Sequence, residues 1–140
     1  MKITLNRLND RYHFETKNER GHFVQLDNTS EESPQGASPM ELLLMGIAGC
    51  SGIDIVSILK KQHLELTDFK MEVEGKREEG AVPNVFTAIH LQIFMEGEIP
   101  ENKAKRAVEL SIEKYCSVSK MLEKTAEIGY TIFLNGEQLS

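Results

Sequence analysis

The chain has no lysine- or arginine-rich stripe. Sixteen basic residues stand against 22 acidic ones in 140, a formal net charge of −6. Nucleic acid and anionic membrane are therefore poor partners, because both are gripped through concentrated positive charge. The N-terminal stretch MKITLNRLNDRYHF contains no long apolar segment, so no secretory signal is expected. The longest uncharged run, Leu42 to Ile53, is twelve residues. About 20 are needed to cross a bilayer, so the run suits a core helix and no membrane association is expected. His13, His22, His63 and His90 are scattered, with neither an H-x-x-x-H nor a C-x-x-C spacing, which argues against a zinc or iron site. Cysteine is limited to Cys50 and Cys116. With no signal and so few thiols, a reducing cytoplasm is the expected location.

What the chain does have fits one globular domain over residues 1–140, with 40% hydrophobic and 27% charged residues. KITLNRL, YHFETK and HFVQLD read as short strands separated by turns at Asn9-Asp10 and Asn18 to Gly21. A polar loop, NTSEESPQGASP, follows. Ser38, Pro39 and Glu41 then form a helix-start signature: N-cap, proline at the first helical position, and a capping-box acid three residues on. The helix is predicted to run to about Gln62. Its first half is apolar nearly all round, which predicts enclosure on every side. FKMEVEGKRE and PNVFTAIHLQIFMEGE alternate as strands around a loop at Glu78 to Pro83. Ala104, Ala107, Val108, Ser111, Ile112 and Tyr115 keep helical spacing from Pro100, and Val118, Met121 and Leu122 continue it. Spacing leaves open whether this is one helix or two broken near Cys116. Glu127 to Leu134 reads as a last strand ended by Asn135-Gly136. The order βββ–α–ββ–α–α–β predicts an α+β fold with antiparallel sheet.

LLLMGIAGCSGID places Gly46, Gly49 and Gly52 around Cys50. Each glycine inside a helix costs about 1 kcal/mol relative to alanine, so bare backbone is needed for close packing or for space beside the sulfur. The glycines lie inside the helix, which rules against a phosphate loop. Ile53 stands where a nucleophile elbow would need its last glycine. Two readings of the cysteines stay open. They are either a reactive pair, in which a sulfenic acid on one is resolved by the other, or two small buried hydrophobes. Asp54, four residues after Cys50, shares its helix face. A carboxylate beside a thiol raises the thiol's pKa. Either Asp54 serves another partner, or Cys50 has a compensating cation among Arg7, Arg11, Arg20 and Arg77.

SPMELLLMGIAGCSGIDIVSILKK, followed further on by EKYCSVSKML, resembles the osmotically inducible protein C and organic hydroperoxide resistance (OsmC/Ohr) family, and within it the small YhfA-like branch. The resemblance implies an OsmC-like fold in which antiparallel sheets pack on a long buried central helix. It also implies an intertwined homodimer whose subunits jointly build each active site. The implied activity is thiol-dependent reduction of organic hydroperoxides, with Cys50 attacking and Cys116 resolving, and re-reduction by a dithiol such as dihydrolipoamide. No metal, haem or flavin cofactor is implied. Gly46 and Gly49 would then let two central helices approach each other, or approach the segment carrying Cys116. The sequence departs from the family at two places. The family glutamate, ten residues before the attacking cysteine, is here Met40. Its neighbour Glu41 is the candidate replacement, although nine residues at about 100° each set it roughly opposite Cys50 on a regular helix. The family arginine comes from an N-terminal hairpin loop, where Arg20 is the nearest match and Arg77 the fallback. The missing glutamate leaves a second function in play, a non-catalytic dimer that binds an apolar small molecule or lipid.

Overall fold

Two asparagines shape the N-terminal strands. Asn9 Oδ1 accepts the amides of Arg11 and His13, and Asn18 Oδ1 accepts those of Arg20 and His22. These side chains stand in for backbone partners and turn the chain tightly. Gly21 (φ +88°) supplies the left-handed residue of the second turn. The result is an antiparallel sheet of β1 (Ile3–Arg7), β2 (Phe14–Asn18) and β3 (Phe23–Leu26), in that order. The polar loop then returns onto β3, where Ala37 bridges Leu26. Gly36 permits this, since a Cβ there would lie 2.6 Å from the Gln25 backbone.

The structure, a computed structural model, describes residues 1–140. The chain divides into two compact units, Met1–Leu43 and Leu44–Ser140. Helix α1 (Pro39–Lys61) begins in the first and continues in the second. Its start is the expected capping box: the Glu41 amide donates to Ser38 Oγ (3.2 Å) and the Ser38 amide to Glu41 Oε1 (3.0 Å).

In the second unit, β4 (Asp68–Arg77) and β5 (Phe86–Glu96) form a long antiparallel pair, with Val73 opposite Leu91. Strand β6 (Glu127–Leu134) pairs on the other edge of β5, Ile132 beside Ile93, and a short β7 (Glu137–Gln138) closes the order β4-β5-β6-β7. Asn135 and Gly136 (φ +51° and +84°) make the last hairpin turn. The expected all-antiparallel sheet is corrected at one pair, because β6 runs parallel to β5. The chain between them is a crossover through α2 (Glu101–Leu110), a π-helical turn (Ser111–Tyr115) and α3 (Ser117–Leu122), which brings it back in the same direction. Alternate residues of β5, namely Ile89, Leu91, Ile93 and Met95, are buried, as are Ala104, Ala107 and Val108 of α2. Each fully buried large side chain of this kind contributes about 1.5–3 kcal/mol.

Helix α1 corrects two expectations. It buries only Ile47, Ser51, Ile55 and Leu59, a single stripe at four-residue spacing, while Met45, Ile53 and Val56 are exposed. Enclosure fails because β4 and the segment from Ser111 to Val118 cover two flanks of it in its own unit and leave the stripe of Met45, Ile53 and Val56 open. Leu44 approaches Gly75 and Gly52 faces the Phe69 ring, both on β4, and Ser51 Oγ lies 3.8 Å from Met71 Sδ. The second correction concerns length. At 23 residues, α1 is long and apolar enough to cross a bilayer by composition alone, although its uncharged run is only twelve. Its buried stripe is nevertheless spent on protein contacts and includes a serine.

Candidate active site

Cys50 lies in the middle of α1, half-buried. Its neighbour Ser51 satisfies its own hydroxyl locally by donating to the Ile47 carbonyl at 2.6 Å. One turn beyond Cys50 stands Asp54. The other half of the site comes from the π-helical turn. There the Cys116 amide donates to the Ser111 carbonyl at 2.7 Å, five residues back. Cys116 then leaves helical geometry (ψ 106°), and its Sγ accepts the Ser119 amide at 3.3 Å, capping α3. The question left by spacing is thereby answered. There are two helices, broken at Cys116, with the wide turn between them. Such turns often mark functional sites.

This break brings distant residues together. Cys50 Sγ, a carboxylate oxygen of Asp54 and Cys116 Sγ lie within 4.8 Å of one another, the one such gathering of His, Cys, Asp or Glu side chains in the chain. Both cysteines are free thiols. Ser111, the first residue of the π-helical turn, sets its Oγ 3.1 Å from Asp54 Oδ2 and 3.3 Å from the Ser51 carbonyl, so its single proton bridges to α1. Burial pushes the Cys116 thiol up to about 11, reinforced by its contact with Cys50 and by the Asp54 charge and opposed by the Ser119 amide. Cys116 is therefore a protonated thiol at neutral pH, fully buried beside a second sulfur.

The other sequence candidates have contacts of their own. Glu41 is engaged in the capping box, where the Ser38 amide, followed by the Ser38 hydroxyl, holds its carboxyl below the usual carboxylate range. Arg20 is exposed on the β2–β3 turn. The ion pairs are Lys17–Glu15, Lys70–Glu72, Arg106–Glu109 and Lys120–Glu123, so Arg20 and Glu41 are not joined. Arg7 Nε donates to the Arg11 carbonyl and Arg77 Nε to the Asn84 carbonyl, each tied to its own hairpin. Close approach to the Cys116 segment does not account for the glycines. A Cβ on Gly46 would meet Val118 at an ordinary 3.8 Å, and one on Gly49 would meet nothing within 4 Å. Ser111 is the residue that sequence reasoning missed. Its signal was a hydroxyl on a stripe of otherwise apolar spacing.

The family model described as OsmC-like protein matches residues 30–131. Protein YhfA of Escherichia coli strain K12 is 42% identical over 113 residues, covering 79% of this chain and 81% of its own. A hypothetical protein from Aquifex aeolicus superimposes with a TM-score of 0.80 at 32% identity, over 96% of each chain. The organic hydroperoxide resistance protein OhrB of Bacillus subtilis shares the fold at a TM-score of 0.63 and 17% identity, over 96% of this chain and 98% of its own. The chain belongs to the OsmC-like family.

Proposed function

We propose that this chain is a cysteine-based peroxidase that reduces organic hydroperoxides in the cytoplasm. The observation that carries this reading is the meeting of Cys50 and Cys116, which come from separate elements and lie within 4.8 Å. The thiolate of Cys50 attacks the distal peroxide oxygen and an alcohol leaves, so that Cys50 becomes a sulfenic acid. Cys116 then attacks that sulfur, giving a disulfide and water. A dithiol such as dihydrolipoamide restores both thiols by exchange. The half-buried Cys50 is the more accessible thiol for an incoming peroxide, which leaves the fully buried Cys116 for the second step. Shared fold with proteins named for organic hydroperoxide resistance supports the substrate class.

Residues 1–140 act as one functional unit in this reading, assembled as a homodimer. Exposed Met45, Ile53 and Val56 on α1 give a second copy an apolar face to cover, with Gly49 open beneath it. Arg20 is the proposed cation for the peroxide oxygens, and Glu41 the acid that would orient it. Turnover of cumene hydroperoxide with dihydrolipoamide tests the assignment. The Cys50→Ser protein should show none, and peroxide consumption at the wild-type rate in that protein would remove Cys50 from the mechanism. Arg20→Ala and Glu41→Ala should each lower turnover, and unchanged rates would free either residue from its role.

A second reading has one specific observation behind it. Met40 stands where the family carries glutamate, and Glu41 is committed to the helix cap. A non-catalytic dimer binding an apolar small molecule or lipid would retain the fold without that acid. Native mass spectrometry showing a bound acyl compound, together with thiols inert to peroxide, would favour it.

A further inference from the structure

Forming a disulfide from a sulfenic acid and a thiol requires the thiol to lose its proton and the departing hydroxide to gain one. In this chain the thiol concerned, Cys116, is fully buried and holds its proton up to about pH 11. At neutral pH, unassisted ionisation would leave it almost entirely unreactive. The site therefore needs a group that takes the proton at the moment of attack.

The geometry points to Asp54: we propose that its carboxylate, held in place by the Ser111 hydroxyl, carries the proton from Cys116 to the oxygen leaving Cys50. The inference rests on the cysteine-pair reading above. Asp54 is the one carboxylate gathered with the two sulfurs. Ser111 Oγ at 3.1 Å donates to Oδ2, which holds the carboxylate in place beside the sulfurs. The π-helical turn ties these roles together, because Ser111 opens it and Cys116 closes it with a single backbone hydrogen bond. The step balances. Cys116 S–H passes its proton to the carboxylate and its sulfur attacks the Cys50 sulfur. The S–O bond breaks, and the departing hydroxide takes the proton from Asp54 as water. Cys50 and Cys116 are left joined, and Asp54 is a carboxylate again. The titratable groups that bear on the Cys116 sulfur are Cys50 and Asp54, both from α1, with the Ser119 amide acting from its own segment.

The same placement allows a bland alternative that predicts the opposite sign. A carboxylate that merely sits near Cys116 makes its ionisation harder, so its removal would ease the attack. Single-turnover oxidation separates the two. Reduced wild-type and Asp54→Asn proteins are mixed with cumene hydroperoxide and quenched at intervals between pH 6 and 10, and sulfenic acid and disulfide are counted by mass spectrometry. Asp54→Asn should still form sulfenic acid on Cys50. It should close the disulfide about a hundredfold more slowly at pH 7, the scale of a lost general base, and recover as pH rises. Disulfide closure at pH 7 as fast as wild type, or faster, would overturn the proposal. Ser111→Ala provides a second variant, expected to slow closure by a smaller factor with sulfenic acid still forming on Cys50. A parallel arm uses oxidised glutathione, which places a mixed disulfide on Cys50 for Cys116 to resolve. Slow resolution in Asp54→Asn there, with thiols inert to hydroperoxide, would uphold the role of Asp54 and overturn the peroxidase reading.

Discussion

In the sheet built on β5, Ile89, Leu91, Ile93 and Met95 are all withdrawn from water, whereas in the β1–β3 sheet Ile3, Leu5, Phe23 and Val24 are between 47% and 63% exposed. Both sheets have sound hydrogen-bonded registers and turns that suit their residues. What separates them is cover. The larger unit brings a crossover of helices to its sheet, and apolar burial supplies its stability. The N-terminal strands carry apolar side chains with little to bury them in their own unit. Helix α1 repeats the contrast within one element, with Ile47 and Ile55 fully buried and Ile53 73% exposed. Apolar surface left open by one chain and rich in β-branched and aromatic residues is what an interface between copies would use.

Substitutions that act on one side of this contrast should show it most strongly. Leu91→Ala or Ile93→Ala should lower stability by about 2–5 kcal/mol in urea unfolding, the usual cost of a large-to-small change in a core. Leu5→Ala and Phe23→Ala should change the dilute, dissociated chain by no more than about 0.5 kcal/mol. Equal losses in the two sheets would mean that the N-terminal strands are covered within the chain.

Ile53→Glu sharpens the comparison on α1. It should shift sedimentation from dimer to monomer at micromolar concentration, with the monomer still folded by circular dichroism. Gly49→Ala should act in the same direction on assembly, while gaining up to about 1 kcal/mol of helix stability in the monomer. Assembly unaffected by both changes would place the interface elsewhere.

Smaller effects belong to the helix start. Ser38→Ala removes one half of the capping box and should cost about 1 kcal/mol. Because the Glu41 carboxyl is held below its usual range in the folded chain, the stability it confers is present at neutral pH. That contribution should fade as pH falls through the lowered value, and Glu41→Gln should flatten this acid limb. Cys116 has the opposite sign. Its thiol rises from 9.0 to about 11 on folding, so the contribution is complete below pH 9 and lost as pH rises through about 11. An alkaline limb that persists unchanged in Cys116→Ala would assign it to other groups.

The features legible in the sequence are those fixed by near neighbours. Ser38, Pro39 and Glu41 announce a helix start with atoms three residues apart, and Asn18 to Gly21 and Asn135-Gly136 announce turns in the same way. Residues far apart in the chain decide the rest. The parallel β5–β6 pairing follows from a crossover whose direction no periodicity records. The π-helical turn interrupts a stripe that reads as continuous, and only the folded chain shows Cys116 leaving the helix there. Cys50 and Cys116 stand out as the two cysteines of the chain, and family resemblance gives them their roles. Asp54 drew notice by its spacing from Cys50, but its partner Ser111 stands 57 residues away. The open stripe of α1 lies beyond composition, which shows how apolar a helix is and not how much of its surroundings one chain supplies.

Whether Cys50 and Cys116 form a reactive pair is decided by exposing fully reduced protein to cumene hydroperoxide and mapping the products by intact and peptide mass spectrometry. Rapid loss of two hydrogen atoms is expected, located to a Cys50–Cys116 link, with sulfenic acid accumulating on Cys50 when Cys116 is replaced by serine. Thiols that stay unmodified through long exposure would contradict it.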